Sequence, residues 1–174
     1  MSVDTKLVKT PYQKEEYTQE QLIELAKCAA DPKYFIKEHC WIQHPTKGRM
    51  KFALFDYQEE LLDTYHNYRY SIALISRQMG KSTAAAAYLL WYSMFVPDQT
   101  ILIAAHKYSG AQEIMQRIRF AYETLPDHLR AGAVSYNKGS IEFDNGSRII
   151  VQATSDNTGR GLSISLAYLD EFAF

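Results

Sequence analysis

The sequence has few cysteines and no long apolar run. Its two cysteines, Cys28 and Cys40, are too few for the disulfide framework of a small secreted domain. No stretch approaches the roughly 18 consecutive apolar residues of a membrane span, and the first eighteen residues lack the apolar core of a secretory signal. We therefore expect a soluble intracellular protein that is not held by a membrane.

The sequence also lacks an excess of positive or negative charge. The formal net charge of −1 gives no reason to expect a basic wrapper of nucleic acid, although a local basic patch can exist within a balanced total. Hydrophobic residues make up 47% and charged residues 22%, as in ordinary globular proteins, so the chain is not intrinsically disordered. Its 174 residues suffice for one domain with a core, or for most of one.

The first part of the chain predicts helices. Residues 1–17 are polar and indicate a flexible or loosely docked arm. Thr18 and Gln21 have the spacing of a capping box that opens a helix, so residues 1–30 form an arm and a first helix. Asp31 followed by Pro32 is typical of a helix start. Two further features are expected downstream, a turn region at Pro45 and Gly48 and a helix opening at Asp56.

Strands and helices then alternate. The run "SIALI", residues 71–75, precedes a helix predicted from Gly80 to about Phe95. A second run, "TILIAA", precedes a helix predicted to be capped by Ser109 with Gln112. The last run, "SISLAYLD", is apolar enough for a strand buried on both faces. Strands alternating with helices predict an α/β fold with a mostly parallel sheet flanked by helices.

A β-hairpin is predicted near residue 145. The segments "SIEF" and "RIIVQA" surround Asn145 and Gly146, a pair that favours the two-residue type I′ turn because both of its positions need a positive φ. The fold class therefore includes this hairpin beside the sheet.

A phosphate-binding loop without its first glycine lies at "SRQMGKST". In the pattern G-x-x-x-x-G-K-[ST] that glycine would fall at Ile75. Gly80 still lets the backbone approach a phosphate, Lys81 can reach the β and γ phosphates, and the Ser82 hydroxyl can bind Mg²⁺. The predicted helix start also favours an anion. The alternative is a chance Gly-Lys-Ser at the start of a helix.

Two acids follow the last predicted strand. Asp170 would lie beside Mg²⁺ bound by Ser82, and Glu171 would orient and deprotonate a water molecule. Alone, such acids are often no more than solvent-exposed residues at the end of a strand. Combined with the upstream loop, they indicate the Walker A and Walker B motifs of a P-loop ATPase with a catalytic glutamate.

Three further residues are candidates for the same site. Gln58 lies upstream of the loop, where helicase-like ATPases carry a glutamine that recognises adenine, although it also fits the surface of an amphipathic helix. Arg77 and Arg160 are candidates to stabilise charge on the γ phosphate, in the manner of arginine fingers. Their alternative is a solvated loop arginine.

The motif "SRQMGKST" resembles the Walker A motif of the large terminase subunits of tailed bacteriophages, in which the first glycine is commonly missing. The likeness continues, in order, through "DPKYFI", "FDYQ", "AHK", "LPDHL", "NKGSIEFDNGS", "GRG" and "YLDEFAF", and is greatest with the contractile-tailed phage type. It implies a P-loop NTPase fold of the additional-strand, catalytic-glutamate (ASCE) type over residues 31–174.

The resemblance also implies roles for individual residues. Glu171 would activate water, Lys81 and Arg77 would act on the phosphates, and Arg160 matches the position of a finger that acts on a neighbouring subunit. Asp170 and Ser82 would bind Mg²⁺. The nucleotide-binding set implied for ATP is Gln58, Ser76, Arg77, Gln78, Met79, Gly80, Lys81, Ser82 and Thr83.

The function implied by the resemblance is ATP hydrolysis that drives double-stranded DNA into a phage prohead, in the cytoplasm of the host cell. The implied partners are DNA, a portal protein, a small terminase subunit and further copies in a ring on the prohead. Complete large terminases continue into a coupling motif and a nuclease domain, so we expect this ATPase domain to be incomplete. Alternatives are a helicase-like DNA translocase and a non-catalytic fragment that binds nucleotide or assembles with partners.

Two other groups of residues are weaker candidates. Cys28, His39, Cys40 and His44 offer ligands for Zn²⁺, but their spacing matches no standard zinc pattern. His106 follows a predicted strand at the edge where α/β sheets bind ligands, and a loop histidine with a local hydrogen bond is the preferred interpretation.

Overall fold

The computed structural model describes residues 7–171. Within this range the helices and strands are, in chain order, α1 Gln19–Ala30, α2 Pro32–His39, β1 Trp41–His44, β2 Gly48–Lys51, α3 Asp56–Asn67, α4 Lys81–Phe95, β3 Thr100–Ala105, α5 Tyr108–Glu123, a 3₁₀ turn Asp127–Leu129, β4 Ala133–Tyr136, β5 Ser140–Phe143, β6 Arg148–Ala153 and β7 Leu166–Asp170. No helix among these residues is long and apolar enough to cross a bilayer.

The main sheet is mixed, with the strand order β4-β5-β6-β3-β7. β3 pairs in parallel with β6 on one side and with β7 on the other. β4, β5 and β6 pair antiparallel. The α/β class with flanking helices is confirmed, but the expected mostly parallel sheet is wrong, because the hairpin strands join the same sheet and make half of its pairings antiparallel.

The predicted hairpin is present, with a different turn. β5 and β6 coincide with the predicted segments. Gly146 has φ 82°, whereas Asn145 is not among the described residues with positive φ, so the type I′ turn is wrong. The Gly146 amide donates to the Phe143 carbonyl, and the Phe143 amide donates to the Ser147 carbonyl at 2.8 Å. This pattern belongs to a three-residue loop with glycine in the left-handed position.

The predicted strand at residues 71–75 is absent, which overturns that expectation. The segment has no regular structure, and Ile72 and Leu74 are 92% and 96% exposed. A strand needs a neighbouring strand for its peptide groups, and this segment pairs with none in the described part of the chain. It lies beside α3 instead, with Ile75 half-buried.

Two other predictions about single elements are wrong. β7 starts at Leu166 and lies at the edge of the sheet, with Leu169 exposed, instead of being buried on both faces. The N-cap of α5 is Lys107 and makes no side-chain cap, so Ser109 lies inside the helix. The start of α5 therefore has no side-chain cap, and one face of β7 is open to solvent.

The local helix signals are confirmed. Thr18 and Gln21 form both hydrogen bonds of a capping box at the start of α1. Asp31 caps α2 by accepting from the Lys33 amide at 2.8 Å, with Pro32 at the first position. The expected turn region at Pro45 and Gly48 is the turn of a small antiparallel hairpin, β1–β2, whose strands were not predicted.

The N-terminal arm is docked on the domain from Leu7 onwards. Lys9 is buried, and its Nζ donates to Glu15 at 2.7 Å, to the Tyr17 hydroxyl and to the Asp127 carbonyl. The Lys9 carbonyl accepts from the Ala133 amide. The expected loose docking is therefore too weak a description of residues 7–17.

α4 is the central helix of the core. Most of its side chains are buried, and it packs against α2, α3 and α5. Trp91 donates its ring N–H to the Cys28 carbonyl at 2.7 Å, which ties α1 to α4. The burial of α4 fixes the position of its first residue, Lys81.

Candidate nucleotide-binding site

The start of α4 and the end of β7 meet at one point. Lys81 is the first residue of α4 and Asp170 is the last residue of β7. Their Nζ and Oδ1 atoms are 3.9 Å apart, and both side chains are mostly buried. Two motifs that lie far apart in the sequence are thus neighbours in space, and they place an ammonium and a carboxylate beside a helix N-terminus.

Tyr168 joins these two motifs and was missed in the sequence. Its hydroxyl donates to Asp170 Oδ1 at 3.3 Å and lies beside the Ser82 side chain. Burial, and then the charge of Asp170, raise the pKa of Tyr168, so its hydroxyl keeps its proton. The available signal was the spacing, because residues two apart on a strand face the same side.

α3 forms a further wall of the site. Burial, together with the negative charge of Asp170, raises the pKa of Tyr65 to about 12. Tyr57 donates its hydroxyl to the Met79 carbonyl at 2.7 Å. The carboxylate of Asp170 therefore lies between the first turn of α4 and aromatic residues of α3 and β7.

The phosphate loop, residues 76–83, approaches α4 through left-handed backbone. Gln78 has φ 64° and Gly80 has φ 73°. Gly80 is the N-cap and offers no side chain, so no side-chain cap occupies the helix N-terminus. Uncapped N–H groups and the helix dipole attract an anion. The local geometry thus suits a phosphate, as the motif predicts.

Gln58 lies against this loop and is buried. Its Oε1 accepts from the Phe55 amide, and its Nε2 donates to the Met79 carbonyl at 3.3 Å. A Cβ added at Gly80 would lie 2.7 Å from Gln58 Nε2. Gln58 therefore supports the phosphate loop through its side chain, and its contact with adenine stays a prediction.

The remaining candidates are solvent-exposed. Arg77 lies in the phosphate loop, Glu171 directly follows β7 with φ 51°, and Arg160 lies in a turn between two glycines of positive φ. His106 is also exposed, just after β3. Ser76, Gln78 and Met79 lie in the loop with Arg77, whereas Thr83 is half-buried in the first turn of α4. The roles of all these residues in binding or catalysis stay predictions.

A comparison with protein families matches the second part of the chain. The family described as "Terminase large subunit, T4likevirus-type, N-terminal" matches residues 72–174, which is more than half of the chain. The matched segment contains Lys81, Ser82 and Asp170, and it begins after Gln58. The large terminase subunit has its role in viral DNA packaging. The chain therefore belongs to the T4likevirus-type family of large terminase subunits.

Proposed function

We propose that this chain is the ATPase motor portion of a terminase large subunit, which hydrolyses ATP to drive double-stranded DNA into a phage prohead. The observation that carries the proposal is the contact between Lys81, at the uncapped start of α4, and Asp170, at the end of β7. The fold we propose is the additional-strand, catalytic-glutamate (ASCE) type of P-loop NTPase, over residues 31–174.

The residues at this point fit ATP with Mg²⁺. A hydroxyl on Ser82 and a carboxylate on Asp170 are oxygen ligands of the kind that Mg²⁺ prefers. Bound Mg²⁺ supplies positive charge to the β and γ phosphate oxygens. Lys81 and the amides at the start of α4 would hold those phosphates, and Tyr168 would keep the Asp170 carboxylate turned toward Ser82.

Glu171 is the proposed general base. It follows Asp170 directly and is exposed, so its carboxylate can reach a water molecule at the phosphates. Glu171 would take a proton from that water as the water oxygen bonds to the γ phosphorus. The bond from the γ phosphorus to the β-phosphate oxygen would break, which releases ADP and inorganic phosphate. Arg77 would stabilise charge on the γ phosphate, and Arg160 would do so across a subunit boundary.

Partners follow from the same proposal. Double-stranded DNA would bind mainly through its phosphates, so binding should weaken with salt. A portal protein, a small terminase subunit and further copies of the chain in a ring would complete the motor in the host cytoplasm. Residues 1–30 would form an arm and helix that precede the motor domain.

The test is the ATPase rate of the chain with and without double-stranded DNA. Glu171→Gln should lower the rate by about 10²–10⁴-fold, because a positioned general base contributes about that much. Glu142→Gln, an exposed acid on β5, is the matched control and should retain the rate. Equal rates near background for the chain and for Glu171→Gln would refute hydrolysis by this chain.

A second candidate is nucleotide binding without hydrolysis, with assembly as the role. It is favoured by the segment at 71–75, which precedes the phosphate loop but lies outside the sheet. A fluorescent ATP analogue that binds with Mg²⁺ but is not turned over would favour this candidate. DNA-stimulated turnover that also separates a forked duplex would instead favour a helicase-like translocase.

A further inference from the structure

Three possible metal ligands lie together on α1 and α2, apart from the nucleotide site. They are Glu24, Cys28 and His39, and their ligand atoms all lie within 4.8 Å of one another. We propose that these three side chains bind one Zn²⁺ ion, with a water molecule as the fourth ligand. The other two sequence candidates, Cys40 and His44, are not members of this cluster.

The spacing of the ligands follows from the two helices. Glu24 and Cys28 are four residues apart on α1, so their side chains share one face of the helix. α2 starts after the single cap residue Asp31 and ends at His39, which brings the imidazole back over that face. Two ligands lie one turn apart on α1, and the third comes from α2. Together they would coordinate an ion from one side.

The distances need only a small adjustment to fit zinc. Glu24 Oε1 and His39 Nε2 are 2.7 Å apart and hydrogen-bonded. In a tetrahedral site with bonds of about 2.1 Å, two such ligand atoms are about 3.4 Å apart. Opening this contact by less than about 1 Å, which side-chain rotation can provide, would make room for the ion.

The donor set is characteristic of zinc. Zn²⁺ accepts a thiolate, an imidazole and a carboxylate, and sites with three protein ligands keep a water molecule in the fourth position. Ca²⁺ and Mg²⁺ prefer oxygen ligands alone, so a sulfur and a nitrogen disfavour them. The cluster therefore selects a borderline transition-metal ion.

Cys28 would change state when the metal binds. Burial raises the pKa of its thiol to about 12, so the free side chain is protonated at neutral pH. A coordinating metal removes that proton, and binding therefore releases a proton and weakens at low pH. Four other titratable groups face the cluster: Tyr34, Lys27, Glu38 and His128. The pKa of His128 is lowered, first by burial and then by the nearby His39.

The cluster is accessible from one side and supported on the other. The Glu24 and His39 side chains are 25% and 15% exposed, whereas Cys28 is fully buried. Tyr34 donates its hydroxyl to Glu24 Oε1 at 2.9 Å and so orients the carboxylate, as outer groups do in zinc sites. An ion would enter past the carboxylate and the imidazole and reach the thiol last.

The experiment uses the full 174-residue chain without an affinity tag, first treated with EDTA and then titrated with Zn²⁺ and with Co²⁺. We expect one equivalent of metal, a thiolate-to-Co²⁺ charge-transfer absorption band and a higher melting temperature with Zn²⁺. Cys28→Ser should remove the band. Glu24→Gln and His39→Asn should weaken Zn²⁺ binding by more than about tenfold, since even outer ligands contribute about 10–100-fold.

Matched controls separate a specific site from loose binding. Cys40→Ser removes the other buried cysteine, and His44→Asn removes a histidine of the β1–β2 hairpin; both should keep the band and the stoichiometry. Absence of stoichiometric binding, or a band that survives Cys28→Ser, would overturn the proposal. The test is independent of the proposed ATPase, since Glu24→Gln should leave binding of the fluorescent ATP analogue unchanged.

Discussion

Lys81 and Asp170 form a mostly buried ammonium–carboxylate contact at 3.9 Å, in which the first residue of α4 faces the last residue of β7. Each charge is thereby balanced before any ligand is present, which limits the cost of burying it. A phosphate arriving at the start of α4 would draw Lys81 toward itself, and the carboxylate would then be available to a divalent cation. The contact thus joins a phosphate-binding group to a metal-binding group.

Asp170→Asn should therefore weaken nucleotide binding only where Mg²⁺ contributes. Without the carboxylate, the affinity measured with Mg²⁺ should fall by about tenfold or more, because the metal would lose an oxygen ligand. The affinity measured in EDTA should change little. Titration of a fluorescent ATP analogue with and without Mg²⁺ gives both values. Asp156→Asn, in an exposed turn, is the control. An equal loss in both buffers would contradict a metal role for Asp170.

Tyr168→Phe should weaken Mg²⁺-dependent nucleotide binding by about fivefold, because the variant loses one hydrogen bond to Asp170, worth about 1 kcal/mol. The stability should fall by a similar amount. Tyr136→Phe is the matched control, since the Tyr136 hydroxyl donates to Glu123 at 2.8 Å on α5. It should lose the same stability but keep the nucleotide affinity. A Tyr168→Phe variant with unchanged affinity would show that the tyrosine only packs.

Gly80→Ala should damage the phosphate loop in two ways. A side chain at φ 73° costs about 1–2 kcal/mol, and the new Cβ would lie 2.7 Å from Gln58 Nε2. Urea unfolding should show this loss, and nucleotide binding should weaken as Gln58 shifts. Gly48→Ala has a similar φ of 70° with open space around it, so it controls for the backbone cost alone. Equal nucleotide binding in the two variants would argue against a supporting role for Gln58.

The local parts of the fold could be predicted, and the contacts between distant parts could not. Thr18, Asp31 and Gly80 act on their own neighbours in sequence, so their caps are readable from the chain. The segment 71–75 has the composition of a strand, but pairing depends on a partner that composition does not reveal. Lys81, Ser82 and Asp170 were found through motif spacing, whereas Tyr168 carries no motif and required the packed structure.

Polar substitutions at Ile72 and Leu74 should leave stability almost unchanged. Both side chains are exposed, so Ile72→Thr and Leu74→Thr should alter the free energy of unfolding by no more than about 0.5 kcal/mol. Ile103→Ala, in the fully buried centre of β3, should cost about 2–5 kcal/mol and serves as the contrast. Urea unfolding measures all three. A loss above about 1 kcal/mol at Ile72 would mean that the segment packs in solution.

Glu24 should make the stability depend on pH in acid. Its hydrogen bonds, first with His39 and then with Tyr34, hold its pKa below the ordinary value of 4.5. The folded state therefore binds fewer protons than the unfolded state just below pH 4.5, and stability is lost as the pH falls through that window.

Glu24→Gln should flatten this dependence. Urea unfolding in EDTA, repeated at several pH values at and below about 4.5, measures the slope and keeps metal out of the comparison. Glu113→Gln, an exposed acid on α5, is the control and should keep the slope of the original chain. An unchanged slope in Glu24→Gln would contradict the pKa shift.

Asp170 lies on β7, an edge strand that is hydrogen-bonded to β3 alone in the described part of the chain. Strands at a sheet edge open locally at a lower free energy than central ones, so the amides of β7 should exchange with deuterium earlier than those of β3. Each opening would carry the carboxylate away from the start of α4. The rate of metal binding would then depend on how often β7 opens locally. Any ligand that holds Lys81 and Asp170 together would slow deuterium exchange along the whole of β7.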